Sequence, residues 1–279
     1  MSKDALLKAQ ASKLGQKVEY VTTYKPSLLD SIPRNQQRSA LGITEDALPF
    51  RGLDIWNAFE FTWLNTKGRP EVALVQIRVP AKSANIIESK SLKLYLGSYS
   101  NTKFSHRGEV ISTLEADLTL AARAPVSITL MSPDQVQQNG LGTLIGQCLD
   151  QLDVDIEEYY WSPDFLTFGS DVIVRESVYT HLFRSLCPIT GQPDFASISI
   201  EYNGKNISQE GLLKYLVSYR QHQEFGEQVV ERIFVDIMNR CMPDRLTVSA
   251  RFTRRGGIDL NPTRSHESDM RADVRVWRQ

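Results

Sequence analysis

Alternation of apolar and polar positions marks several strands along the chain. Leu53 to Leu64 is rich in aromatic and branched residues, and the cluster Asn65-Thr66-Lys67-Gly68-Arg69-Pro70 follows it. Val75-Gln76-Ile77-Arg78-Val79 then alternates, so the two runs predict a β-hairpin. Val110, Ile111, Leu114, Leu118 and Ala121 recur at helical spacing, and Val126-Ser127-Ile128-Thr129-Leu130 returns to period two. The second half repeats this grammar. Val172 to Leu186 reads as a long strand, Cys187 to Asp194 as a turn, and Ile198, Ile200 and Tyr202 as the buried face of a return strand. Leu212 to Tyr219 and the 3.6-residue stripe Phe225, Val229, Val230, Ile233, Phe234, Ile237 and Met238 predict two helices. Leu246, Val248, Ala250 and Phe252 alternate with Thr247, Ser249, Arg251 and Thr253 as a last clean strand.

Two copies of one β-β-α-α-β module follow from this pattern, each an antiparallel sheet with two helices packed on one face, which makes an α+β protein. The expected division is 1–140 for an amino-terminal arm and first module, and 141–279 for the second. The arm, the first 45 or so residues, is polar and broken by Pro26, Pro33 and Gly42, and predicts at most one short helix.

Composition narrows the function. The 279 residues are 41% hydrophobic and 23% charged, which permits a real core and excludes a largely disordered chain. A formal charge of −1 gives no global field toward a nucleic-acid backbone, so no directly bound nucleic acid is expected. Met1 to Val21 carries Lys3, Asp4, Lys8, Lys13 and Lys17 and lacks the apolar core of a signal peptide. No uncharged apolar run approaches the ~20 residues of a bilayer span. Cys148, Cys187 and Cys241 are odd in number and form no CxxC, which suits a reducing compartment. A cytoplasmic location is the expectation.

Four segments carry candidate chemistry. In Cys187-Pro188-Ile189-Thr190-Gly191-Gln192-Pro193-Asp194 a rigid link brings a thiol and a carboxyl toward one another. A free cysteine has a pKa of roughly 8.5, so Asp194 is a candidate proton acceptor for Cys187 and a later proton donor. The ordinary alternative is a small buried hydrophobe and a turn-capping aspartate. Around Glu88-Ser89-Lys90-Ser91-Leu92-Lys93 a helix start gathers one carboxylate, hydroxyls and two ammonium groups, suited to phosphate and to a guanine-like edge. Its ordinary alternative is a capping box from Asn85 to Glu88 with solvated lysines. Arg254-Arg255-Gly256-Gly257 offers two guanidiniums and two close-approach glycines, or simply a turn. Glu227 is by default an exposed helix carboxylate.

Other signals fail. Gly140-Leu141-Gly142-Thr143-Leu144-Ile145-Gly146 misses the dinucleotide fingerprint by one residue and reads as a hairpin loop. Asp153, Asp155 and Glu157 lack the glycine and terminal glutamate of a calcium loop and read as the wet face of a strand. His106, His181, His222 and His266 stand at no zinc-binding spacing, so no metal is expected.

Taken together, Glu88 to Tyr95, Cys187 to Asp194, Phe225-Gly226-Glu227 and Arg254 to Gly257 resemble the NADPH-dependent 7-cyano-7-deazaguanine reductases, in their long two-module form. Pro49-Phe50, Asp54-Ile55-Trp56 and Trp63-Leu64-Asn65 extend the likeness over nearly the whole chain. The resemblance implies the tunnelling fold, a homodimer, and reduction of a nitrile to an aminomethyl group in queuosine biosynthesis. It implies that Cys187 forms a covalent thioimide and Asp194 supplies the proton to nitrogen. Ile87, Glu88, Ser89, Gly226 and Glu227 match the substrate positions, and Ser89, Lys90, Arg255 and Gly256 the NADPH positions. The chain departs from the family at Gly226, where a histidine is usual in Phe-His-Glu. A helical glycine costs about 0.5–1 kcal/mol against alanine. His222, one turn earlier, is expected at the surface rather than as a substitute. The competing functional classes are a purine- or pterin-processing hydrolase on the same fold and a non-catalytic deazapurine-binding module.

Overall fold

The computed structural model describes residues 20–44, 47–267 and 274–279; the first nineteen residues, which hold most of the predicted signal-free terminus, lie outside them. The chain forms two compact units. Unit 1 comprises residues 1–46, 53–140 and 254–259, and unit 2 comprises 47–52, 141–253 and 260–279.

In chain order the elements are β1 (Ser31–Pro33), α1 (Asn35–Ala40), β2 (Arg51–Leu64), β3 (Pro70–Pro80), β4 (Asn85–Ile87), α2 (Ser89–Gly97), α3 (Arg107–Ala122), β5 (Ser127–Met131) and α4 (Pro133–Asn139). They continue as β6 (Gln147–Cys148), β7 (Phe168–Leu186), β8 (Pro193–Ile207), α5 (Gln209–Ser218), α6 (Gly226–Cys241), β9 (Arg245–Phe252) and β10 (Ile258–Ser265).

Within unit 1, β3 lies between β2 and β5, antiparallel to both. The β2–β3 turn closes because the Asn65 side-chain oxygen accepts from the amides of Lys67 and Arg69 at 3.0 and 3.1 Å. Trp63, Val75, Ile77, Leu92, Tyr95, Leu114 and Leu118 form the core. Beside it, Asp54 is buried in an ion pair with Arg34, which accounts for the aspartate of the Asp-Ile-Trp segment in structural terms. The arm holds more than the predicted short helix: β1 pairs antiparallel with β4, setting Ser31 opposite Ile87. Three residues are too few to show a period.

Unit 2 orders its strands β10-β9-β8-β7-β6. All pairs are antiparallel except β6–β7, which is parallel. That parallel pair removes the hairpin predicted at Gly140 to Gly146. A helix precedes the segment and a strand follows it. The predicted strand at Asp153 to Glu157 is likewise absent, and residues 152–159 have no regular structure. In β7 a register shift between Thr180 and Phe183 re-phases the strand. Past it Phe183 and Ser185 share a face with Asp194, Ala196 and Ile198 of β8. Val229, Val230, Ile233, Phe234 and Ile237 of α6 are fully buried, as the 3.6-residue stripe requires.

The duplication extends to individual side chains. In unit 1 Tyr95 donates to Asp117 at 2.7 Å, Tyr99 lies 2.7 Å from the Tyr95 hydroxyl, and Tyr24 also donates to Asp117 at 2.7 Å. In unit 2 Tyr215 donates to Asp236 at 2.6 Å, Tyr219 lies 2.7 Å from Tyr215, and the Trp161 indole donates to Asp236 at 2.9 Å. Burial pushes all four helix tyrosines above the ordinary phenol range, which keeps them neutral donors. Helices α3 and α6 are both sixteen residues long and both end on a left-handed residue, Arg123 and Met242.

Candidate functional site

The turn that carries Cys187 is closed by its own backbone. The Cys187 amide donates to the Gln192 carbonyl at 2.8 Å, and the Gly191 amide donates to the Cys187 carbonyl at 2.9 Å. Ser185 pairs with Asp194 and Leu186 with Pro193. Cys187 continues the Ser185 face, so cross-strand pairing sets it diagonal to Asp194, where side chains remain within reach. Both are half-buried. The turn is anchored at its base, where the Leu186 amide donates to the His222 carbonyl at 2.8 Å.

His222 is not the surface residue expected. Its Nε2 lies 2.9 Å from Glu224 and its ring packs 5.2 Å from that of Tyr219. Glu224 is in turn gripped by the Arg232 guanidinium, whose Nε reaches both carboxylate oxygens at 3.0 Å. Burial alone would raise the Glu224 carboxyl, but the hydrogen bonds from His222 and Arg232 outweigh it and hold it down to about 2. This triad leads directly into α6.

Gly226 occupies the first helical position, and Phe225 is the residue before it. The penalty for a glycine in a helix interior therefore does not apply in full, because position 226 is the helix end and not its interior. The space a side chain would need is taken. A Cβ at Gly226 would stand 2.7 Å from the Phe252 ring and 2.9 Å from a Leu260 methyl. Glu227 follows and, contrary to its default reading, is only 2% exposed. It faces the core within the first turn of α6, an end whose dipole favours a carboxylate.

Ile87, Glu88, Ser89 and Lys90 mark the start of α2 in unit 1. Ile87 and Glu88 are buried, Ser89 is exposed and Lys90 half-buried. Glu88, not Asn85, is the cap: its carboxylate accepts from the Lys90 amide at 2.9 Å and the Ser91 amide at 2.7 Å. Asn85 instead donates to the Ala121 carbonyl at 2.9 Å. Arg255 and Gly256 sit on a two-residue turn, with the Arg255 amide donating to the Ile258 carbonyl at 2.9 Å. Gly256 and Gly257 have φ of +59° and +78°, the doubly left-handed turn that glycine supplies without strain. A Cβ at Gly256 would lie 3.6 Å from the Lys93 side chain, which is itself paired with Glu60. The turn thus adjoins the lysine face of α2, and Arg254 stacks 4.4 Å over the Phe59 ring.

Unit 2 therefore brings together Cys187, Asp194, His222 and Gly226–Glu227 along one end of its helix-covered face, whereas in unit 1 the Arg255–Gly256 turn meets α2 at Lys93, about one turn beyond Ile87 to Lys90. The site neighbours not foreseen are Ser185, Glu224, Arg232, Phe252 and Leu260. Only Ser185 had a readable signal, being two residues from Cys187 on a strand. Among the described residues, no group of three His, Cys, Asp or Glu side chains is arranged to hold a metal ion, and no helix is long and apolar enough to cross a membrane.

Residues 20–130 match the family described as nitrile reductase, 7-cyano-7-deazaguanine-reductase N-term, and residues 193–271 match the QueF-like protein family. Asp194, Gly226, Glu227, Arg255 and Gly256 fall inside the second match, and Cys187 just before it. A solved archaeosine synthase QueF-Like, in the apo form, overlaps 33% of this chain and 91% of its own at 20% identity and a TM-score of 0.29, too slight to bear on the fold. The NADPH-dependent 7-cyano-7-deazaguanine reductase of Azoarcus sp. is 46% identical over 95% of this chain and 94% of its own. That of Chromobacterium violaceum is 45% identical over 96% of both chains. At that identity and coverage, the chain belongs to the NADPH-dependent 7-cyano-7-deazaguanine reductase family.

Proposed function

We propose that this protein reduces the nitrile of 7-cyano-7-deazaguanine to the aminomethyl group, in queuosine biosynthesis, through a thioimide on Cys187. We further propose that it does so as a cytoplasmic homodimer. The observation that carries the mechanism is the β7–β8 register, which sets Ser185 opposite Asp194 and is carried one residue past the end of β7 by the hydrogen bond from the Cys187 amide to the Gln192 carbonyl.

A nitrile accepts hydride poorly, and a covalent adduct splits one high barrier into lower ones. As Cys187 Sγ attacks the nitrile carbon, the S–H bond breaks and an S–C bond forms. The Asp194 carboxylate takes the thiol proton and passes it to the nitrile nitrogen, so C≡N becomes C=N–H. NADPH held by Ser89, Lys90, Arg255 and Gly256 would supply two hydrides in succession, each matched by one proton drawn from solvent through Asp194. Collapse of the first reduced adduct returns the thiol and leaves an imine, which must be kept from water until it is reduced.

The donor set suits a phosphate-bearing dinucleotide: exposed Arg255, the open Gly256 backbone and Lys90 at a helix start, with Ser89 beside it. Glu88 and Glu227 are the carboxylates assigned to the guanine-like edge, alongside Ile87, Ser89 and the Gly226 backbone. Oε1 of Glu88 accepts from both the Lys90 amide and the Ser89 hydroxyl, whereas Oε2 accepts from the Ser91 amide and keeps a second lone pair, so capping leaves one acceptor position for a ligand.

The test is a mass spectrum of the protein mixed with the nitrile and no NADPH. Wild type should gain the substrate mass and Cys187→Ala should not; identical spectra at saturation overturn the mechanism. Asp194→Asn should keep the fold and slow NADPH oxidation by about 10²–10⁴, the usual worth of a positioned proton donor.

A further inference from the structure

Ser185 is the last inward residue of β7 before the turn. Its side chain is completely buried, yet its Oγ makes no hydrogen bond within the protein. The other inward residues nearby need none or have one. Phe183, Ala196 and Ile198 are apolar, and Thr180 donates to Asp150 at 2.6 Å. An alanine would fill the Ser185 position without leaving a desolvated hydroxyl, so the oxygen is a local cost with no structural return. Its Cα partner across the sheet is Asp194, and directly opposed residues on one face hold their Cβ atoms about 4.5–5.5 Å apart. From there a serine hydroxyl reaches a carboxylate by rotation about χ1 alone.

We propose that Ser185 is a positioning residue for the proton transfer, its O–H turning to donate to the Asp194 carboxylate once that group has given its proton to the nitrile nitrogen. A carboxylate accepts this bond more strongly than the neutral acid, so the bond favours the state after transfer over the one in which Asp194 holds the thiol proton. No bond to Ser185 is made or broken covalently, and the proton count of the step is unchanged. The inference rests on the thioimide reading above and adds to it the group that receives the charge left on Asp194.

The experiment follows adduct formation by mass spectrometry against pH, without NADPH, in full-length wild type, Ser185→Ala and Ser185→Thr. Wild type must first show the Cys187 adduct; if it does not, the thioimide reading fails and this one with it. Given that adduct, a donor that favours the carboxylate lowers its pKa, so removing it should move the alkaline limb of the Ser185→Ala profile up by about one pH unit. The rate at the plateau should fall about tenfold, because the weaker acid gives up its proton less readily. Ser185→Thr should restore the wild-type limb. Thermal melting of Ser185→Ala should be unchanged or higher. An unshifted limb overturns the proposal, and so does a lowered melting temperature without a shift, which would make the hydroxyl structural.

Discussion

A side chain at position 226 would emerge between the Phe252 ring and Leu260, both already packed. Gly226→His should therefore destabilise the protein by about 1–3 kcal/mol, the usual cost of overpacking, as read from urea unfolding. Gly226→His with Phe252→Leu should lose less than the sum of the two single variants, since they compete for one space. Additive losses would contradict the contact. Glu224 governs acid behaviour. Its carboxyl falls from an ordinary 4.5 to about 2 in the folded state. A depressed carboxyl contributes stability that is present above pH 4.5 and lost as pH falls toward 2. Glu224→Gln should flatten the loss of stability across that window by on the order of 3 kcal/mol, measured as urea midpoints against pH. At this scale the sequence exposed Cys187 and Asp194 through a proline-bounded turn. It hid the burial of Glu227 and the packing of His222 against Tyr219 and Glu224, because a polar side chain is judged by partners that a hydrophobic period does not reveal.

Elements show the duplication best. Tyr95-Leu96-Gly97-Ser98-Tyr99 and Tyr215-Leu216-Val217-Ser218-Tyr219 recur at the ends of equivalent helices, each feeding an aspartate on the next, half-buried Asp117 and buried Asp236. Asp236→Ala strands the Tyr215 hydroxyl and the Trp161 indole, and Asp117→Ala strands Tyr24 and Tyr95. Each variant should lose about 1–3 kcal/mol per stranded donor, in matching amounts, by urea unfolding. Unequal losses would mean the two networks are not equivalents. The repeated tyrosine motif was readable as letters, whereas hydrophobic period revealed the modules only as a pattern. The long strands and helices announced themselves because ten or more residues sustain a period. The two-residue β6 and three-residue β1 cannot, and their pairing depends on partners elsewhere in the chain.

Cofactor preference and assembly are properties of the whole molecule. Arg255→Ala should raise KM for NADPH about tenfold, the loss of one charged hydrogen bond, and leave KM for NADH nearly unchanged. Equal effects on both cofactors would place Arg255 away from the ribose phosphate. The proposed homodimer predicts sedimentation at twice the chain mass at micromolar concentration.

The packing around Gly226 also bears on how such a chain can change over generations. Phe252 and Leu260 close the door on an imidazole at that position until one of them shrinks. Exchange between glycine and histidine there is consequently a matter of order. A lineage that alters codon 226 first meets a folding defect, and one that trims residue 252 first passes through a cavity instead.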